Sequence, residues 1–247
     1  MTTVVLTRPQ SDSERLAVAL KADGIHTVIL PVMAISALSD GELAAPPTLD
    51  QHAVCVFISA NAVRFGLSAL LPRLTEVPGI VTIAVGAKTR QCLAEQGIDA
   101  VMPDRPDSEG VLAMAELDAS QAREVVIVKG EGGRELLANQ LRQRGAQVTE
   151  WSCYRRCWPD VDLTPLADSN TPRVFQASSG EVLTRLSELL AGEHSGDLFQ
   201  STVIVPSERV AAMASNLGWQ RVICAQDASD HGFADALRQV FRAGLTG

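Results

Sequence analysis

The chain lacks most of the residue patterns that announce a chemistry. Its five cysteines are an odd number at irregular spacing and give no disulfide framework. Cys153 and Cys157 stand four apart with no second pair and no histidine nearby, so their spacing argues for packing rather than zinc. His26, His52, His194 and His231 are scattered, and none stands near a serine or cysteine in a nucleophile setting; neither a triad nor a metal cluster can be drawn. No apolar run reaches the roughly 18 residues a membrane span needs. The first residues read as a short strand carrying Arg8, which is no signal peptide, and the expectation is a soluble cytoplasmic protein without a membrane partner. Positive charge is also short: the formal net charge of −8 argues against nucleic acid or an acidic membrane as partner. No phosphate loop and no G-x-G-x-x-G fingerprint occur, which disfavours a nucleotide-dependent transferase.

What is present is a faint internal repeat at a shift of about 120 residues. VVLTRP (4–9) returns as VVIVKG (125–130), FISANAV (57–63) as FQASSGE (175–181), and TIAVGAKT (82–89) as TVIVPSER (202–209). LKADGI (20–25) is echoed by LRQRGA (141–146), and SEGVLAMA (108–115) by DHGFADAL (230–237). A chain of 247 residues with 46% apolar content is long enough for two cores. Two copies of one module suggest two similar lobes with a ligand cleft between them.

Short β-branched runs followed by small-residue turns and helical patterns alternate along the chain: VVLT, AVCVFIS, VTIAV, EVVIV, RVFQA and STVIV. Their apolar residues do not alternate with polar ones, which implies burial on both faces and therefore parallel sheets under helices. Gly24, Gly97, Gly145 and Gly218 stand where a left-handed residue closes each helix. The fold class is α/β: two similar doubly wound lobes with parallel sheets. PVMAIS (31–36) and WSCYRRCWP (151–159) leave this rhythm at matching points, as a pair of crossing strands would, and read as linkers.

In such sheets ligands meet the carboxyl ends of strands, where helix starts offer unpaired N–H groups. Those turns hold Arg8, Ser59, Asn61, Gly86, Thr89, Lys129, Gly130, Arg134, Ser178, Ser179, Gly180 and Ser207. Taken singly, Asn61 and Ser179 are good helix caps, and capping accounts for such residues without any ligand. Arg8 and Lys129 recur at the same place in both copies and suggest an anion-facing task. The run KGEGG (129–133) has neither phosphate-loop spacing nor a dinucleotide fingerprint; a tight turn with close backbone approach explains it as well. Tyr154, the only tyrosine, lies on the second linker, where its phenol either donates a hydrogen bond or packs against a hinge.

The series VLTRP, FISANAV, AVGAKT, SEG, VVIVKGEGGRELLANQLRQRGA, a tyrosine soon after the next strand, FQASSG and VPSERVAAMASNLGW resembles the uroporphyrinogen-III synthase family over essentially the whole chain. The resemblance implies an enzyme without cofactor or metal that closes the linear tetrapyrrole hydroxymethylbilane into uroporphyrinogen III, inverting ring D through a spiro intermediate with loss of water. It implies a cytoplasmic monomer, with a transient contact to the preceding pathway enzyme. It also implies lobes that exchange segments: residues 1–34 with 160–247, residues 37–152, and a two-stranded connector at 35–36 and 153–159. Tyr154 is then expected to bond the leaving hydroxyl or a propionate, Thr89 and Ser179 to face the cleft, and Arg8, Lys129 and Arg134 to meet carboxylates. The chain departs from the family's pattern at Gln176 and Ala177 and at Pro206, Glu208 and Arg209. Glu208 is expected to point away from an acidic substrate, leaving Ser207 as the contact. A non-catalytic bilobal protein that closes on an anionic metabolite is the alternative.

Overall fold

The computed structural model describes residues 2–117, 124–133, 135–166, 172–191 and 200–244. Arg134, expected in the site, lies outside the described residues. The chain divides into two compact units, one of residues 1–34 and 157–247 and one of residues 35–156.

The first unit is built on β1 (Thr3–Leu6), β2 (His26–Ile29), β8 (Arg173–Gln176), β9 (Thr202–Val205) and β10 (Arg221–Cys224). They form one parallel sheet in the order β10-β9-β8-β1-β2. The second unit holds β3 (Ala34–Ala37), β4 (Val54–Phe57), β5 (Val81–Ala84), β6 (Glu124–Gly130) and β7 (Gln147–Cys157), in the order β3-β7-β6-β4-β5. Strands β4 to β7 pair in parallel. Leu38 N–H donates to Cys153 O, and the Cys157 thiol to Ala34 O, so β3 runs antiparallel to β7.

The β-branched runs carry no polar face because their apolar residues alternate between two cores. In the first unit Val5, Phe175, Val203 and Val205 pack under α6 (Gly180–Leu190) and α7 (Glu208–Asn216). Val4, Leu6, Val174 and Ile204 pack on the other side, under α1 (Gln10–Ala22) and α8 (Asp230–Arg242). In the second unit Cys55, Phe57, Val126 and Val128 meet α2 (Ala60–Glu76) and α3 (Ala87–Ala94). Val54, Val56, Val125 and Ile127 meet α4 (Ser108–Leu112) and α5 (Leu136–Gln143). Period-two side-chain alternation thus feeds two apolar layers, and the sequence reads as a continuous apolar run. Gly24, Gly97, Gly145 and Gly218 all carry positive φ, from 72° to 102°, as expected for residues that end helices.

Each sheet is also a doubly wound sheet in its own right. Counted along the chain, the first unit has the order 2-1-3-4-5, whose switch point lies between β1 and β8. In the second unit the corresponding point lies between β4 and β6. The loops that carry ligands in such folds leave the carboxyl ends of these four strands.

Candidate functional site

At the carboxyl edge of the second unit, Ser59 follows β4 in an extended conformation and caps α2: its Oγ accepts from Ala62 N–H at 3.1 Å. The same Oγ lies 3.0 Å from Tyr154 Oη. A register irregularity brings Tyr154 there. Lys129 of β6 faces Ser152 of β7, yet Gly130 faces Tyr154, so Cys153 is an extra residue in β7. Strict alternation would send Cys153 and Tyr154 to opposite faces of the sheet. The bulge instead lets Trp151, Cys153 and Tyr154 all pack on the α2 side.

The phenol ring then lies against backbone. A Cβ added to Gly130 would come within 2.5 Å of Tyr154 Cε2 and 2.7 Å of its Cζ, so only glycine leaves room for the ring. Phe65 packs against Tyr154 with centroids 5.9 Å apart, and Glu131 N–H donates to Tyr154 O at 2.8 Å. Gly132 and Gly133 have φ of 68° and 88°, so KGEGG is a tight turn with one close approach, at Gly130. Burial pushes the Cys153 thiol up to about 11, which makes it a packing group and no nucleophile at neutral pH.

On the opposite face of the same sheet, Lys129 is 8% exposed and donates from Nζ to Glu150 Oε2 at 2.7 Å. Arg142 donates to the other carboxylate oxygen of Glu150 at 3.1 Å. Burial alone would raise the Glu150 carboxyl, but the hydrogen bonds and charges of Lys129 and Arg142 outweigh it and hold the group below its ordinary value. A cavity of about 320 Å³ opens here, lined by Ile58, Val85, Asp107, Ser108, Lys129 and Glu150. Gly86 caps α3 by its backbone alone, Asn61 lies half-buried in the first turn of α2, and Thr89 is 4% exposed in the first turn of α3.

The carboxyl edge of the first unit gathers Arg8, Ser178, Ser179, Gly180 and Ser207. Ser179 caps α6, its Oγ accepting from Val182 N–H at 3.2 Å. Ser207 caps α7 by position only, without a side-chain cap bond. Ser178 is half-buried, and Gly180 packs so closely on Met213 that a Cβ would lie 2.9 Å from its Cε. Arg8 pairs with Asp230 at the start of α8, and its guanidinium lies 5.9 Å over the Phe233 ring. Gln176 is fully buried, and neither atom of its amide has a partner among the described residues. Glu208 is exposed; its carboxylate reaches Cys224, whose thiol is raised by burial first and by Glu208 second.

Sequence reading treats Arg8 and Lys129 as charges open to a ligand, whereas both are held by carboxylates of their own chain. A cation as buried as Lys129 is costly unless paired, which is why Glu150 lies beside it. The reading also misses Ala62 N–H and the Cys153 bulge. The serine-x-x pattern of a helix cap signals the first; nothing in a single sequence signals the second.

This chain is similar to known proteins in both sequence and fold. A family model described as "Uroporphyrinogen-III synthase HemD" matches residues 14–235. Uroporphyrinogen-III synthase of Salmonella typhimurium is 32% identical over 257 residues, covering 95% of this chain and 99% of that one. The Escherichia coli K12 protein of the same name is 31% identical over 250 residues, with the same coverage of 95% and 99%. Among solved structures, uroporphyrinogen-III synthetase from Helicobacter pylori 26695 has a TM-score of 0.60 at 15% identity, covering 98% of this chain and 100% of that one. A mutant uroporphyrinogen III synthase from Thermus thermophilus has a TM-score of 0.54 at 17% identity, covering 97% and 100%. At that identity the solved structures speak for the fold, while the family model and the two bacterial relatives carry the assignment: this chain belongs to the uroporphyrinogen-III synthase family.

Proposed function

We propose that this chain is a cyclising lyase that converts hydroxymethylbilane to uroporphyrinogen III. The observation that carries this reading is the family match along residues 14–235. In the reaction the terminal hydroxyl leaves as water and a delocalised azafulvene cation remains. Ring D attacks through its substituted carbon, the spiro intermediate breaks and rejoins inverted, and the closing carbon releases one proton. Closure without inversion competes at every turnover. The protein's task is therefore mainly to hold a flexible eight-carboxylate chain in one geometry and to help the hydroxyl depart.

The donors assigned to that task are the helix starts at Ser59 and Asn61, at Gly86 and Thr89, at Ser178, Ser179 and Gly180, and at Ser207, together with the Gly130 turn. Their N–H groups are rigid and independent of side-chain identity. Arg8 and Lys129, already paired, act by position and by charge that their partners neutralise in part; Arg134 is kept as a carboxylate contact. Tyr154 is the group assigned to the leaving hydroxyl, as acid or hydrogen-bond donor. We assign the enzyme a small-molecule substrate, no cofactor or metal, a monomeric state in the cytoplasm and a transient contact with the enzyme that delivers hydroxymethylbilane. No helix among the described residues is long and apolar enough to cross a membrane. The test is incubation with freshly made hydroxymethylbilane and resolution of the product isomers: isomer III in excess of the spontaneous isomer I supports the reading, and isomer I alone overturns it.

A further inference from the structure

We propose that Ser59 is a positioning residue for Tyr154: fixed at the start of α2, its hydroxyl donates to the phenol oxygen and so aims the phenol's own hydrogen at the departing hydroxyl. The inference rests on the reading of the chain as a uroporphyrinogen-III synthase. It gives the Ser59 hydroxyl a task separate from capping α2 and from the backbone N–H groups of that helix start assigned to the substrate.

A serine hydroxyl has one hydrogen and two lone pairs. Here one lone pair is taken by Ala62 N–H at 3.1 Å, and Tyr154 Oη stands at 3.0 Å, which fixes the partners and leaves the direction of the second bond open. Two physical effects decide it. A hydroxyl that accepts a hydrogen bond becomes a better donor, because the two bonds polarise one another. The positive end of α2 also favours electron density on Oγ and repels a second proton pointed at it. Ser59 Oγ–H therefore points to Tyr154 Oη, and the phenol hydrogen is directed elsewhere.

The surroundings hold that arrangement. Tyr154 cannot turn toward β6, because its ring already lies against the Gly130 backbone, where a methyl would come within 2.5 Å of Cε2. It cannot swing to the opposite face, because the Cys153 bulge fixes β7 beside β6. Phe65 packs against the ring with centroids 5.9 Å apart. The remaining freedom is the phenol hydrogen itself. When the carbon–oxygen bond of the substrate breaks, the electron pair leaves with oxygen, and the phenol proton completes a water molecule. The phenolate left behind keeps the hydrogen bond from Ser59, which α2 strengthens. The proton released later by the closing carbon returns to the phenolate, so no net proton is consumed at Tyr154.

The test separates donation from capping. Ser59→Thr keeps a hydroxyl; Ser59→Asp keeps an acceptor for Ala62 N–H but has no hydrogen to give, and ties up the phenol proton instead. We expect Ser59→Thr to retain kcat within about twofold, and Ser59→Ala and Ser59→Asp each to lose about tenfold in kcat at unchanged KM, the factor one such hydrogen bond is worth. Ser59→Asp should melt at the wild-type temperature or above, because it still caps. In a Tyr154→Phe background, Ser59→Ala should cost nothing further, since Ser59 acts through the phenol. Because the chain has one tyrosine, labelling tyrosine with carbon-13 at Cζ gives a single resonance. It should move in Ser59→Ala and return in Ser59→Thr. Wild-type kcat in Ser59→Asp, a full additional loss in the double variant, or a resonance indifferent to Ser59 would each overturn the inference. A wild-type protein that makes no isomer III would instead defeat the proposed catalytic function, and the resonance would still report on the hydrogen bond.

Discussion

Tyr154→Phe removes one hydroxyl and leaves the ring between Gly130 and Phe65, so its effect isolates the phenol. Turnover of hydroxymethylbilane should fall by about 10²-fold or more, the low end for loss of a positioned acid, while thermal stability changes by less than about 1 kcal/mol. Unaltered kinetics would make the phenol a packing neighbour. At this scale the sequence is informative about identity and silent about direction. Tyr154 stands out as the single tyrosine, and Ser59 and Ser179 stand out as caps. What orients them does not: the Cys153 bulge depends on how β7 meets β6, and a bulge has no residue signature of its own. Arg8 and Lys129 are legible as a repeated basic position. Their partners Asp230 and Glu150 are 222 and 21 residues away, and only the folded chain brings them close.

Helix α2 reaches the sheet through Gly66, where an added Cβ would lie 2.7 Å from Val128 Cγ1 and 3.0 Å from both Cys153 Sγ and Trp151 Cζ3. Gly66→Ala should therefore cost about 1–3 kcal/mol by overpacking, read as a lower denaturant midpoint at unchanged slope. Because Cys153 is the bulged residue, the same variant should also disturb Tyr154 and lower kcat. Lys129, Glu150 and Arg142 link β6, β7 and α5. Glu150, depressed below the ordinary 4.5 by Lys129 and Arg142 against an opposing effect of burial, binds its proton later in the folded chain than in the unfolded one. Its stabilising effect is complete above that ordinary value and is lost as pH falls through the lower folded value. Denaturant midpoints measured from pH 7 to pH 3 should fall less steeply for Glu150→Gln than for the wild type, and parallel curves would show that the pair contributes nothing. The apolar strands β1, β4, β5, β6, β8 and β9 are legible from their β-branched runs. The edge strands β2 and β10 are not, since half-exposed HTVI and RVIC carry less of that signal. Nor is the length of β7, whose arginines disguise a strand of 11 residues as a linker.

Over the whole molecule, the internal repeat and the two sheets do not coincide. The first copy supplies β1, β4 and β5, the second β6, β8 and β9, yet β1 lies beside β8 and β6 beside β4. Each sheet thus takes its first strand from one copy and the next two from the other. The order β2-β1-β8-β9-β10 is matched by β7-β6-β4-β5, followed by the lone bridge of Val101 to Ile83. Repetition alone suggests a cut near the middle of the chain; it contains no information on which copy a strand pairs with. The Tyr154–Ser59 pair breaks the equivalence, because the first unit contains no tyrosine. A chain of charge −8 and a substrate of eight carboxylates repel at long range, while the helix-start N–H groups proposed as its donors are neutral and act only at short range. Raising the ionic strength from about 0.01 M to 0.1 M shortens the screening length from about 30 Å to about 10 Å and removes most of that repulsion, leaving bonds to neutral donors in place. With kcat unchanged, kcat/KM for hydroxymethylbilane should therefore rise over this range and then level off. If Arg8, Lys129 and Arg134 carried the binding as free charges, kcat/KM would fall steadily with salt instead, and that result would overturn the assignment of the carboxylates to backbone donors.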